Sequence, residues 1–292
     1  MKNKDDNMFH MMSKYQIRTI QSLGQNFLKD KNTALKIVDA ANLTKEDLVI
    51  EVGMGAGSLS KIIAGKCKKL VGIEIDKKLI PLLNDYLSDC NNVEIINEDV
   101  LKLDIVKDIL DKNKEFTSYK VIANLPYYIT TAVIMKFLQS SIPPDISVLM
   151  MQKEVADRIL AGPGSKTYGG LSVVVNYYCE AIRVSNVSPN CFVPKPAVIS
   201  TVLKFIKDEK PKVKIKDKEL FFKVIKAAFA QRRKKISNSV ANTLYLGITK
   251  EDVEQILEHM GLDTLIRAER LSINDFAKLS DSIYNKYVTK II

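Results

Sequence analysis

Three carboxylates and three glycines stand in the pattern of a small-molecule site. In "EVGMGAGSLS", Gly53, Gly55 and Gly57 have G-x-G-x-G spacing, and Glu51 stands two positions before the first of them. Glycines at such a turn let the backbone bend tightly and approach a ligand, with a helix N-terminus facing the same spot. Glu74 follows Gly55 by nineteen residues, in "GIEID". A carboxylate there can accept hydrogen bonds from the two hydroxyls of an adenosine ribose. Asp99 sits in "NEDVL". Taken singly, a glycine turn is common, and Glu74 and Asp99 also suit helix caps. A fourth stretch is stranger. "NLPYYIT", Asn124 to Thr130, puts an amide, a proline and two aromatic rings where a chain usually leaves a sheet through Gly, Asp or Ser.

Hydrophobic patterning indicates which elements hold these residues. Apolar, β-branched runs at "LVIEVG" (48–53), "LVGIEI" (70–75), "VEIIN" (93–97), "YKVIAN" (119–124) and "ISVLMM" (146–151) read as strands. Between them lie stretches of helical spacing such as "IPLLNDYL" (80–87) and "AVIMKFL" (132–138). This alternation predicts an α/β fold with a mostly parallel sheet covered on both faces. "AIRVSNV" (181–187) and "VISTVLKFI" (198–206) have no helix between them. They are expected to close the sheet as an antiparallel pair joined by the loop 188–197. Every candidate ligand residue above then falls at the carboxyl edge, where such sheets bind ligands. After "KDEKPKVKIKDKE" (207–219) the period turns helical in "LFFKVIKAAFAQ", "VANTLYL", "KEDVEQILEHM" and "INDFAKLSDSIYNKY". The expected organisation is a loose N-terminal tail at 1–20, a ligand-binding domain at 21–207 and a small all-α domain at 208–292.

The chain has 292 residues, 46% hydrophobic and 27% charged, as in a globular protein. No apolar run reaches the roughly 18 residues of a membrane span, and "MKNKDDNMFHMM" lacks the apolar core of a signal peptide. Cys67, Cys90, Cys179 and Cys191 form no C-x-x-C pair. They read as reduced thiols packed in the core of a cytoplasmic protein, with no metal implied. His10 and His259 read as surface residues. The net charge of +10 is uneven, since residues 207–235 hold 12 Lys/Arg against 4 Asp/Glu. Such a block attracts polyanions through phosphate contacts, or else forms a solvated linker and helix face.

The ligand itself is constrained by charge. A dinucleotide pyrophosphate calls for a cationic or amide-rich cradle, whereas Glu51, Glu74 and Asp99 are acidic. S-adenosylmethionine carries a sulfonium, an α-amine and a ribose but no phosphate, and suits such a site.

"GQNFLKD" (24–30), "EVGMGAGSLS", "GIEID", "NEDVL", "NLPYYITT", "FVPKPAVIS" (192–200) and "AAFAQRRKKISNSV" (227–240) together resemble the ribosomal RNA adenine dimethyltransferases. The closest likeness is to the type that dimethylates two adjacent adenosines near the 3′ end of small-subunit rRNA. The match runs from about Gln21 to the C-terminus in the family's order and spacing. It implies a Rossmann-like class I methyltransferase sheet, S-adenosylmethionine as methyl donor, and 16S rRNA, within the small ribosomal subunit or its precursor, as the partner of a monomer. It also assigns Asn26 and Leu28 to a segment closing over the methionine end of the cofactor, with Gly53 beside that end. Glu74 is assigned to the ribose, Asp99 to the adenine amine, and Asn124 to the neighbourhood of the methyl group.

With adenine as substrate, "NLPYYIT" acquires a chemical reading. The exocyclic amine is a poor nucleophile because its lone pair is delocalised into the ring. Two acceptors aimed at its hydrogens turn that lone pair outward. The Asn124 side-chain oxygen and the Leu125 carbonyl are the candidates, with Pro126 fixing the chain direction. Tyr127 offers a ring face to a flipped base, and Phe192 the opposite face. Tyr128 is expected in the core. Arg232, Arg233, Lys234 and Lys235, expected on the first helix of the small domain, are the foremost candidates for RNA phosphate contact, followed by the strip Lys210 to Lys218. The loop 160–170, with Lys166 and Tyr168, is a further candidate. Two alternatives remain: an erythromycin-resistance type enzyme acting on large-subunit rRNA, and a non-catalytic nucleic-acid-binding factor on the same fold.

Overall fold

In the computed structural model of the protein, residues 5–17, 24–244 and 247–288 are described. The chain divides into two compact units, Met1–Ala156 with Ile182–Lys207, and Asp157–Ala181 with Asp208–Ile292. In chain order the first half forms α1 (Asp5–Lys14), β1 (Phe27–Leu28), α2 (Lys31–Ala40), β2 (Leu48–Val52), α3 (Ser60–Ala64), β3 (Lys69–Ile73), α4 (Ile80–Tyr86) and β4 (Val93–Ile96). Next come β5 (Tyr119–Asn124), α5 (Thr130–Leu138), β6 (Ile146–Gln152), α6 (Lys153–Leu160), α7 (Gly170–Tyr178), β7 (Cys179–Val187), β8 (Phe192–Val193) and β9 (Ser200–Lys207). Helices α8 (Lys218–Ala230), α9 (Ile236–Thr243), α10 (Lys250–His259) and α11 (Ile273–Ile283) follow.

The first unit is built on a seven-stranded sheet of order β4-β3-β2-β5-β6-β9-β7. Strands β2 to β6 pair in parallel, and β9 lies antiparallel to β6. All five residues of β2 are buried, which is why "LVIEV" reads as a continuous run rather than an alternating one. The chain order moves outward from β2 to β3 and β4, then returns to β5 on the other side of β2. That reversal opens a crevice beyond the carboxyl ends of β2 and β5.

A second, two-stranded sheet pairs β1 with β8, with Phe27 opposite Val193 and Leu28 opposite Phe192. Two-residue strands carry no readable period, and neither was expected. Residues 5–14, expected within a loose tail, form a helix. Met11 and Met12 are buried in one cluster with Phe27, Met54, Leu79 and Leu82, and the Lys14 ammonium and Tyr15 hydroxyl both donate to Asp85 Oδ2, at 2.7 and 2.8 Å.

In the second unit, α8, α10 and α11 begin at side chains that cap their free N–H groups. Asp217 accepts from Leu220 N–H at 2.7 Å, Thr249 and Asp252 form a capping box, and so do Ser272 and Asp275. Phe221, Val224, Val240, Leu257 and Phe276 are fully buried. Segment 157–181 joins this unit through long-range contacts that no local pattern announces. Tyr245 and Leu246, at the end of the helical stretch "VANTLYL", lie outside the described residues. His10 and His259 are exposed, Cys67 and Cys179 are buried, and Cys90 and Cys191 partly so. Among the described residues, no helix is long and apolar enough to cross a membrane.

Candidate active site

β2 runs directly into the glycine turn. Gly53, Gly55 and Gly57 have φ of +74°, +58° and +82°, a left-handed backbone that costs a residue with a Cβ roughly 1–2 kcal/mol. Room is short as well, because a Cβ at Gly55 would lie 3.2 Å from the Phe27 ring. The turn directs the Gly55 N–H at Glu74 Oε2, at 2.8 Å. The Asp76 N–H donates to Glu74 Oε1 at 3.0 Å. The carboxylate is thereby fixed beyond the end of β3, and each oxygen keeps a lone pair for a ligand hydroxyl. Burial pushes the Glu74 pKa up, the two amide bonds oppose that, and the Asp76 charge adds to it. Asp76 also accepts from Gln25 Nε2 at 2.8 Å, which ties segment 24–28 to this end of the crevice. Sequence reading passed over Gln25 and Asp76, although Asp76 completes "GIEID".

Asp99 lines the same crevice. Its Oδ1 accepts from Leu101 N–H at 2.9 Å, while Oδ2 has no hydrogen-bond partner among the described residues. Glu51 stands on the wall as well. It is fully buried, and neither carboxylate oxygen has a partner among the described residues. Burial raises its pKa to about 8, and the Glu74 charge reinforces the rise. A buried, unpartnered carboxylate suits a ligand that brings a cation. Together with the ribose-type acceptor Glu74, it makes these residues fit S-adenosylmethionine, whose sulfonium and α-amine are both positive. Asn26, Leu28 and Gly53 also line the crevice.

The next loop leaves β5 at Asn124, whose Nδ2 donates to the Asn26 carbonyl at 3.2 Å. This orients the amide and leaves Oδ1 without a partner among the described residues. The Leu125 N–H donates to the Met150 carbonyl of β6 at 3.3 Å, and the side chain is buried. The Pro126 carbonyl accepts from the Ile129 N–H at 3.3 Å and the Thr130 hydroxyl at 3.2 Å, closing the turn into α5. The Leu125 carbonyl makes no such bond among the described residues. Among the described residues, Asn124 Oδ1 and the Leu125 carbonyl are thus open acceptors on this loop. Tyr127 lines the crevice.

Two aromatic assignments need correction. Phe192, expected to face the substrate base, is only 3% exposed and packs in one core cluster with its ribbon partner Leu28. Pairing of β8 with β1 commits its ring to that core, and it is not on the crevice wall. Tyr128, expected in the core, is 61% exposed and stands at the crevice. Its ring lies over Gly24, where an added Cβ would meet it at 3.6 Å.

A family model described as "Ribosomal RNA adenine dimethylase" matches residues 17–284. The chain belongs to the ribosomal RNA adenine dimethylase family. It is 46% identical to the ribosomal RNA small subunit methyltransferase A of Alkaliphilus metalliredigens, over 94% of each chain. With the protein of the same name from Lachnoclostridium phytofermentans it shares 44% identity over 94% of this chain and 95% of the relative. A crystal structure of a dimethyladenosine transferase from Plasmodium falciparum matches with TM-score 0.74 at 26% identity, covering 87% of this chain and 95% of that one. The 23S rRNA methyltransferase ErmE matches with TM-score 0.66 at 23% identity, covering 88% and 99%, a likeness of fold. The protein is thus an S-adenosylmethionine-dependent ribosomal RNA methyltransferase.

In the second unit of the protein, helix α8 stops at Ala230. Arg232 to Lys235 therefore form the turn before α9 and do not lie on the helix. Arg232, Arg233 and Lys234 are exposed. Arg233, Lys234 and Lys235 have no side-chain hydrogen bond or ion pair among the described residues. Arg232 differs, because its Nη2 donates to the Lys166 carbonyl at 2.8 Å and the Tyr168 carbonyl at 3.2 Å. Tyr168, expected to approach RNA, is instead buried, with its hydroxyl donating to the Leu271 carbonyl at 2.9 Å. Of the strip 210–218, Lys212 and Lys216 are engaged by the Cys179 carbonyl and Asn285, and the Lys218 ammonium lies over the Tyr178 ring.

Proposed function

We propose that the protein transfers methyl groups from S-adenosylmethionine to the exocyclic N6 amines of two adjacent adenosines near the 3′ end of 16S rRNA. The substrate in this reading is the small ribosomal subunit or its precursor, and the enzyme is a cytoplasmic monomer. The observation that carries the reading is the pair of open acceptors, Asn124 Oδ1 and the Leu125 carbonyl, on the wall of a crevice that fits the cofactor.

The bound cofactor supplies an electrophilic methyl group on its sulfonium. Glu74 would hold the ribose hydroxyls, Asp99 the adenine amine, and Glu51 the positive methionine end beside Gly53 and Gly55. Asn26 and Leu28 would lie against that end. Asn124 Oδ1 and the Leu125 carbonyl accept the two hydrogens of the target amine, which turns its lone pair out of the ring plane. The amine sheds its proton after methylation, so no strong base is needed. Tyr127 stacks on the flipped base, whose unstacking costs a few kcal/mol and least in a loop. Arg233, Lys234 and Lys235 hold RNA phosphates. The small-subunit assignment is supported by the names of relatives at 44–46% identity.

The test is transfer of labelled methyl groups to purified ribosomal subunits and their precursors, followed by mapping of the modified bases. The expected result is label on two adjacent adenosines of small-subunit RNA. Label confined to large-subunit RNA, or no label in any RNA, contradicts the reading.

A further inference from the structure

The Tyr127 hydroxyl and Ser200 Oγ lie 2.9 Å apart, and neither has another hydrogen-bond partner among the described residues. Ser200 is 1% exposed. It pairs with Gln152, the last residue of β6. Because β9 runs antiparallel to β6, its first residue rather than its last arrives at the carboxyl edge of the sheet. A side chain that opens β9 therefore reaches the loop leaving β5. The same β6 holds that loop by its backbone, through the Leu125 N–H and Met150 carbonyl at 3.3 Å. Ser200 is in turn followed by Thr201, whose hydroxyl donates to Asn186 Oδ1 at 2.8 Å and fastens the start of β9 to β7.

The tyrosine is thus anchored at both ends. Its backbone follows a proline with φ fixed near −65°, and its hydroxyl is held by a buried partner. A ring fixed at Cα and at Oη has little freedom about χ1, so its face stays on the crevice wall. Phenylalanine in its place would supply the same stacking surface without the anchor.

We infer that Ser200 is a positioning residue for methyl transfer, holding the Tyr127 ring through this hydroxyl pair in the orientation a flipped adenine stacks on. The inference rests on the reading that Tyr127 stacks on the target base. In atoms, it requires only that one hydroxyl donate to the other; no bond is made or broken.

The experiment is a double-mutant cycle of Ser200→Ala and Tyr127→Phe, with Ser200→Thr and Tyr127→Ala alongside. Each variant is assayed for kcat and KM on small-subunit particles and for affinity toward S-adenosylhomocysteine. Thermal midpoints identify any variant that fails to fold. The expected result is a loss of about 3- to 10-fold in kcat/KM for each single hydroxyl deletion, the worth of one neutral hydrogen bond. The double variant should lose no more than the poorer single, Ser200→Thr should recover activity, and cofactor affinity should stay within about twofold. Wild-type kcat/KM in Ser200→Ala, or additive losses in the double variant, would overturn the inference. If Tyr127→Ala keeps wild-type turnover, the stacking reading falls and the inference with it. If Tyr127→Ala loses turnover while Ser200→Ala does not, the inference alone falls.

Discussion

The Gly55 N–H donates to Glu74 Oε2 at 2.8 Å, joining the glycine turn after β2 to the carboxylate after β3. The bond fixes the carboxylate before any ligand arrives, so its remaining lone pairs need no reorganisation. Replacing Glu74 with Gln removes the charge from both hydroxyl contacts. Affinity for S-adenosylhomocysteine, measured by calorimetry, is expected to fall about 10- to 100-fold, as for hydrogen bonds to a charged group. Unchanged affinity would remove Glu74 from the site.

Glu51 makes the ligand-free protein sensitive to pH. Its folded pKa is raised from 4.5 to about 8, so the folded state retains a proton that the unfolded state loses between those values. The stabilising contribution is complete below pH 4.5 and disappears as pH rises through about 8. Thermal midpoints of the ligand-free wild type should therefore fall, relative to Glu51→Gln, across that window. Cofactor affinity should rise over the same range, because the cation prefers the ionised carboxylate. Parallel stability profiles for the two proteins would contradict both statements.

The turn after α8 separates electrostatics from architecture. Arg233, Lys234 and Lys235 have no side-chain partners among the described residues, so changing all three to Ala should leave the thermal midpoint near wild type. RNA binding should weaken, and the slope of log affinity against log salt should become shallower by about 2–3. Arg232→Ala should cost about 1 kcal/mol of stability, since the guanidinium holds two carbonyls of the 160–170 loop. An unchanged salt slope in the triple variant would move the RNA surface elsewhere.

The parallel strands were legible because β-branched runs, glycine turns and helical spacing all give local signals. Glu74, Asp99 and Asn124 could be placed at the crevice from the sequence because each ends or follows such a run, and Glu51 because it stands two positions before the glycine turn. Phe192 was not, since its direction depends on a two-residue ribbon that pairs positions 27–28 with 192–193, and a one-residue shift reverses a strand's faces. Tyr128 lies in a turn, where no period separates inside from outside. "QRRKK" favours continuing a helix, yet α8 ends at Ala230 and the Ile236 N–H bonds to the Ile266 carbonyl at 2.9 Å. That long-range contact outweighs local propensity.

The central claim is that Asn124 Oδ1 and the Leu125 carbonyl prepare the target amine. Single-turnover methyl transfer to small-subunit particles by Asn124→Ala, with cofactor affinity measured on the same preparation, tests it most directly. The account predicts a rate lower by about 100-fold or more, as when one preorganised polar contact to the transition state is removed, with cofactor affinity largely retained. Transfer at the wild-type rate, with the cofactor bound as in the wild type, would contradict it.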